Sequence, residues 1–144
     1  SYLLGDTTFG ATFTHAKVTS AGSLALPNGS TFMPVGSSAT LYIDHEIPDY
    51  NVKLGGSVAW AGKIPAISRD GSNYDEQPSY TLVNIYTEWT PPQYENLSLR
   101  LGIENLFDRN YFERSSFPTT PDRGGIDPIL APGRTFTAHA KLKF

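Results

Sequence analysis

Gly133-Arg134-Thr135-Phe136-Thr137-Ala138-His139-Ala140-Lys141-Leu142-Lys143-Phe144 is the stretch on which the fold turns. From Phe136 onward every even position is apolar or alanine and every odd position is polar. That is the period-2 signature of a strand with one face in an apolar medium and the other in water. Lys141 and Lys143 both fall on the wet face, and the sequence stops on an aromatic residue, Phe144.

The same alternation recurs upstream. A first strand over about Tyr2 to Val18 sets Phe9, Ala11 and Phe13 against Thr8, Thr12 and Thr14, with His15 and Lys17 continuing the apolar phase toward a rim. A second, about Ser38 to Ile47, sets Ala39, Leu41 and Ile43 against Thr40, Tyr42, Asp44 and Glu46. A third, about Val52 to Gly62, sets Val52, Leu54, Val58 and Trp60 against Lys53, Ser57, Ala59 and Ala61, and its Gly55-Gly56 pair suggests a bulge or bend. A fourth, about Tyr80 to Thr90, sets Val83, Ile85 and Trp89 against Asn84, Tyr86 and Glu88. A fifth, about Leu97 to Phe107, sets Leu97, Leu99, Leu101 and Ile103 against Ser98, Arg100, Gly102 and Glu104.

Periodicity alone leaves two readings open, a soluble antiparallel sandwich and a membrane barrel, because both alternate and both use Gly/Pro turns. The connections separate them. They run long, short, long, short, long (19–36, 48–51, 63–79, 91–96 and 112–132), so antiparallel neighbours place every long loop on one side, as in outer-membrane barrels. Charges agree: Asp44, Glu46, Arg100, Glu104, Lys141 and Lys143 all occupy the phase opposite the Leu, Ile and Phe residues. Aromatics gather at strand ends, Trp60, Tyr80, Phe107 and Tyr111 toward the long loops and Tyr50, Trp89, Tyr94 and Phe144 toward the short turns, as interfacial girdles require.

Upstream of the last strand lies Ile103-Glu104-Asn105-Leu106-Phe107-Asp108-Arg109-Asn110-Tyr111. This N-L-F-D-x-x-Y run, with the G-R before the last strand and the closing Phe, resembles the C-terminal end of TonB-dependent outer-membrane receptors. The resemblance implies an all-β fold, an antiparallel up-and-down transmembrane β-barrel of roughly 22 strands filled by a plug. Residues 1–144 would be the C-terminal part of that barrel domain, about six strands, with the plug and earlier strands absent. The start at Ser1-Tyr2-Leu3-Leu4, without Met or a signal peptide, fits a cut inside a longer protein, and Phe144 fits a true C-terminus. The implied function is active uptake of an iron chelate, a ferric siderophore first and haem or cobalamin as alternatives. The implied partners are TonB through the plug, the barrel-insertion machinery and the lipid of the bacterial outer membrane.

Within that frame Asn105, Leu106, Phe107, Asp108 and Tyr111 read as strand-end architecture, their polar side chains bonding backbone. Phe136, Leu142 and Phe144 read as the C-terminal assembly signal. Arg69, Tyr74, Arg114 and Arg123, in the long connections, are candidates to meet an anionic chelate. Asp70, Asp75, Glu76, Asp122 and Asp127 share those regions, so no net basic funnel results.

Composition bounds the rest. The 144 residues suffice for one domain, 39% are hydrophobic, and no run approaches the ~18 apolar residues of a spanning helix. A net charge of -3 and the lack of basic clusters interleaved with aromatics argue against nucleic acid. There is no cysteine, and His15, His45 and His139 lie on separate strands without metal-ligand spacing. Gly55-Gly56-Ser57-Val58-Ala59 lacks the last glycine of a nucleophile elbow and falls inside a strand. Asp70 to Glu76 departs from the EF-hand spacing. The expectation is therefore no enzyme, no catalytic residue, no metal site and no cofactor.

Overall fold

The computed structural model describes residues 1–16, 36–65, 67–69, 72–74, 76–113 and 130–143, with 67–69 and 72–74 described by backbone only. Among them run the strands β1 (Tyr2–Leu4), β2 (Thr7–Ala16), β3 (Gly36–Ile47), β4 (Val52–Ala61), β5 (Ile67–Arg69), β6 (Ser72–Tyr74), β7 (Tyr80–Trp89), β8 (Leu97–Glu104) and β9 (Thr135–Leu142). Seven of them form one sheet in the order β1-β2-β3-β4-β7-β8-β9, and every pairing in it is antiparallel. Apart from β1, each neighbour in this sheet is a strand of 8 to 12 residues. Ten residues at ~3.3 Å each, tilted by about 45°, climb about 23 Å, close to the ~25 Å apolar band of a barrel wall.

Register carries the alternation across the sheet. Phe9 pairs with Ile43, Leu41 with Ala11 and Val58, Val58 with Val83, Ile85 with Ile103, and Ile103 with Phe136. One face is apolar from β2 to β9. A one-residue slip at any junction would turn the following strands inside out, so the hydrophobic pattern itself fixes this register.

Nothing of the chain covers that face among the described residues. Leu4, Phe13 and Phe136 are 74%, 69% and 73% exposed, while the buried apolar side chains are Ala61 and Ile64, both at the long-loop end. A soluble sandwich would bury these side chains beneath a second sheet. The sheet is a wall without a core.

The turns differ from the sequence expectation in two places. The stretch expected as one strand from Tyr2 to Val18 is a hairpin: β1 and β2 pair with Leu4 opposite Thr7 across Gly5-Asp6. Gly5 has φ 58°, the left-handed value that a two-residue hairpin turn asks of its first central residue. This turn falls on the short-turn side, where the Glu46 amide donates to the Asp6 carbonyl at 2.8 Å. In the second place, the connection 63–79 contains the β5–β6 hairpin, and Ile64 and Gln77 exchange backbone bonds of 2.9 Å at its base.

Elsewhere the short turns behave as their residues dictate. Pro48–Tyr50 is one 3₁₀ turn with Pro at its start, closed by Asn51 at φ 51°. Pairing runs through Gly55 and Gly56 without interruption, opposite Asp44 and Ile43, so there is no bulge there. Gly55 instead leaves room for the Tyr86 ring of the neighbouring strand. β8 stops at Glu104, three residues short of the expected Phe107, because Asn105 turns left-handed at φ 50°.

Candidate functional site

The polar face of the sheet gathers the chemistry. In one cross-strand row Thr8, Asp44, Gly55, Tyr86, Gly102 and Thr137 stand side by side. The Tyr86 hydroxyl reaches over Gly55 and donates to Asp44 Oδ1 at 2.5 Å. A Cβ on Gly55 would strike the Tyr86 ring and come within 2.5 Å of Asp44 Oδ1, so only glycine leaves that path open. Tyr42 likewise lies over Gly10, where a Cβ would meet its ring at 2.5 Å, and Thr137 Oγ1 would be 2.7 Å from a Cβ on Gly102. The Arg100 guanidinium in turn sits 3.6 Å above the Tyr86 ring centroid, a cation–π contact. Each of these side chains leans toward the strand that precedes its own.

Charges on this face are unevenly satisfied. Lys53 Nζ lies 3.5 Å from Asp44 and 3.9 Å from Glu46, and Glu88 accepts from Ser98 Oγ at 2.7 Å. Arg100 and Lys141 form no ion pair within 4 Å among the described residues, although Glu88 is the cross-strand partner of Arg100. Tyr42, Asp44, Tyr86, Arg100, Thr137 and His139 border a concavity of about 560 Å³. On the opposite face His15 Nδ1 and Ser37 Oγ are 2.8 Å apart near the long-loop end, and His45 Nδ1 and Thr7 Oγ1 are 2.8 Å apart near the short turns. No group of three His, Cys, Asp or Glu among the described residues is placed to hold a metal ion.

The N-L-F-D-x-x-Y run forms a knot at the long-loop end. Asn105 is 4% exposed. Its Oδ1 accepts from the Arg109 amide at 2.9 Å and its Nδ2 donates to the Arg109 carbonyl at 2.8 Å. Its own amide donates to Asn84 Oδ1 at 2.9 Å, tying the knot to β7. Asp108, at φ 53°, accepts the Arg134 amide at 2.7 Å and so joins the run to the G-R before β9. The Leu106 amide donates to the Val83 carbonyl, and Phe107 is 66% exposed. Tyr111 packs on Tyr80 with ring centroids 4.8 Å apart. Burial pushes its hydroxyl above the usual phenol value, and the nearby Glu113 carboxylate adds to the shift.

The other sequence candidates are scattered. Arg69 and Tyr74 lie on the β5–β6 hairpin, where Arg69 pairs with Ser72 and Tyr74 with Ile67. Arg114, Arg123 and Phe144 lie outside the described residues. Phe136 pairs with Ile103 and Leu142 with Leu97, both on the apolar face. The sequence reading missed the Tyr42–Gly10 and Tyr86–Gly55 contacts. Alternation places tyrosines and glycines on one face, but only the register brings them together.

A single antiparallel sheet, apolar on one side and polar on the other, with long loops at one end, defines a segment of transmembrane β-barrel wall. No protein-family model matches the chain. It is 54% identical over 143 residues, 99% of its length, to the heme transporter BhuA of Brucella ovis, and equally to the proteins of that name in Brucella suis and Brucella abortus. It spans 22% of the length of these relatives. Among solved structures the copper transporter OprC superposes on 99% of the chain with TM-score 0.72 and 22% identity, using 22% of its own length, which establishes the fold alone. Along its whole length the chain thus matches a transporter of the TonB-dependent receptor class, the class that its N-L-F-D run resembles. The relatives are transporters, and neither is a siderophore receptor by name.

Proposed function

We propose that residues 1–144 form the C-terminal part of the barrel domain of an outer-membrane haem importer, energised through TonB by a plug outside this chain. One observation carries this reading: the 54% identity, held over 99% of the chain, to a heme transporter. It favours haem over the ferric siderophore that the family resemblance alone put first. In this role the segment binds lipid with its apolar face, lines a wet interior with its polar face and carries three of the outer loops. The N-L-F-D-x-x-Y knot holds the strand ends at the outer rim, and Phe136, Leu142 and Phe144 present the last strand to the insertion machinery. Arg69, Tyr74, Arg114 and Arg123 are the loop groups that would meet the anionic substrate.

The test uses the full receptor that contains this segment, expressed in a bacterium lacking its own haem and siderophore receptors. Growth with haem as sole iron source, lost when TonB is deleted, is the expected result. Growth on a ferric siderophore but not on haem overturns the reading. Alanine at Arg69 and Arg123 together removes those loops from the binding role if haem affinity stays unchanged.

A further inference from the structure

Resting on the haem reading, we infer that the polar face of β8 and β9 carries a carboxylate-binding strip made by Arg100, His139 and Lys141, which receives the propionates of haem on its way through the barrel.

The inference begins from an imbalance. On β3 and β7 the acids are already engaged: Asp44 by Tyr86 and Lys53, Glu46 by Lys53, Glu88 by Ser98. On β8 and β9 the cations are not, since among the described residues neither Arg100 nor Lys141 has an ion pair within 4 Å. Arg100 and His139 are direct cross-strand partners, and Lys141 stands opposite Ser98, one step further along the same face. Side chains so paired lie about 5 Å apart, and the next pair on that face follows about 7 Å along the strand. Two cations and an imidazole N–H are thus gathered within about 10 Å, and the one carboxylate across from them, Glu88, which pairs in register with Arg100, already accepts from Ser98 Oγ.

Arg100 is also held in place. Stacked on Tyr86, itself fixed by Asp44, it presents its guanidinium edges to the interior rather than sweeping through rotamers. A preorganised guanidinium binds carboxylate in a two-pronged geometry that a free lysine cannot match. Glu88 faces Arg100 across the β7–β8 ladder without an ion pair, its Oε1 taken by Ser98, and Glu104, which lines the same concavity, lies four residues from Arg100, about 13 Å along β8. The neighbouring concavity of about 560 Å³ gives the strip an open approach. Haem bears two propionates on one edge of an otherwise apolar ring, so two separated cationic contacts suit it.

The alternative is that these cations meet carboxylates elsewhere in the receptor and serve assembly. Haem and its dimethyl ester separate the two, since the ester keeps the ring and iron but has no carboxylates. The double variant Arg100→Gln/Lys141→Gln is made in the full receptor, with Lys141→Gln and Lys141→Arg as milder companions. Receptor level in the outer membrane, and uptake of both compounds, are measured. The expected result is haem uptake lowered on the order of tenfold in the double variant, ester uptake within about twofold of wild type, and haem uptake retained by Lys141→Arg. Equal losses for haem and ester, or no loss for haem, overturn the strip while leaving the haem reading intact. A wild-type receptor that takes up neither compound overturns both.

Discussion

Replacing Gly55 by alanine tests the polar wall at its tightest point. The new methyl occupies space held by the Tyr86 ring and approaches Asp44 Oδ1 to 2.5 Å, so Tyr86 must swing away. That movement breaks the Tyr86–Asp44 hydrogen bond, which to a charged acceptor is worth about 1.5–3 kcal/mol. It also removes the ring beneath Arg100, about 0.5–1 kcal/mol for a cation–π contact at a wet site. Alanine recovers about 0.5–1 kcal/mol through the lower backbone entropy of the unfolded chain. The net loss is about 1–3 kcal/mol. It is to be read from reversible urea unfolding of the full receptor in lipid vesicles. The same substitution made beside Tyr86→Ala has no ring left to displace, so it is expected to cost nothing or to stabilise slightly. Equal costs in the two backgrounds would refute the account, because the penalty would then arise from the strand and not from the tyrosine.

Four further outcomes follow from the same geometry. Lysine at Leu41 faces lipid and is expected to cost about 2–4 kcal/mol of barrel stability, whereas lysine at the adjacent Thr40 faces the interior and costs under about 1 kcal/mol; unfolding of the two variants side by side checks this. Asn105→Ala strips the Arg109 amide and carbonyl of their partners and forces a left-handed alanine, for a local loss of about 2–4 kcal/mol, seen as faster hydrogen exchange at the knot. Asn105→Gly, which relieves the backbone but not the bonds, is expected to fall between. Tyr111 keeps its proton in the folded rim where the unfolded chain would release it, so its contribution is complete below the ordinary phenol pKa of about 10 and is lost as pH rises through the raised value. Tyr111→Phe should flatten that alkaline decline in receptor stability. Deleting Phe144 is expected to lower the amount of receptor assembled in the outer membrane, measured by the heat-modifiable gel shift of the folded barrel.

The division into two faces was legible in the chain because strand side chains alternate whatever their neighbours are. Leu99, Leu101 and Phe136 could be assigned to the apolar side from their spacing alone. Relations between strands were not legible in this way. Gly55 suggested a bulge because glycine inside a strand has several uses, and only the register with Asp44 and Tyr86 distinguishes among them. The hairpin at Gly5-Asp6 was hidden by the continuous alternation on both sides of it. Between Arg69 and Ser72 the Asp70-Gly71 dipeptide was a usable hairpin signal, outweighed in the sequence by the polar run around it. Asn105 and Asp108 both bond backbone, but the left-handed conformations that aim them had to be seen.

The common lean of the interior side chains gives the wall a direction. Arg100 covers Tyr86, Tyr86 covers Gly55, Thr137 covers Gly102 and Tyr42 covers Gly10, like roof tiles laid from one gable. A tile lifted from such a roof bares what lies beneath it and unsettles the tile resting upon it: without Tyr86, Gly55 is open below and Arg100 loses its seat above. The overlap therefore couples each strand to both its neighbours through side chains alone, a bond between staves that the backbone ladder does not supply.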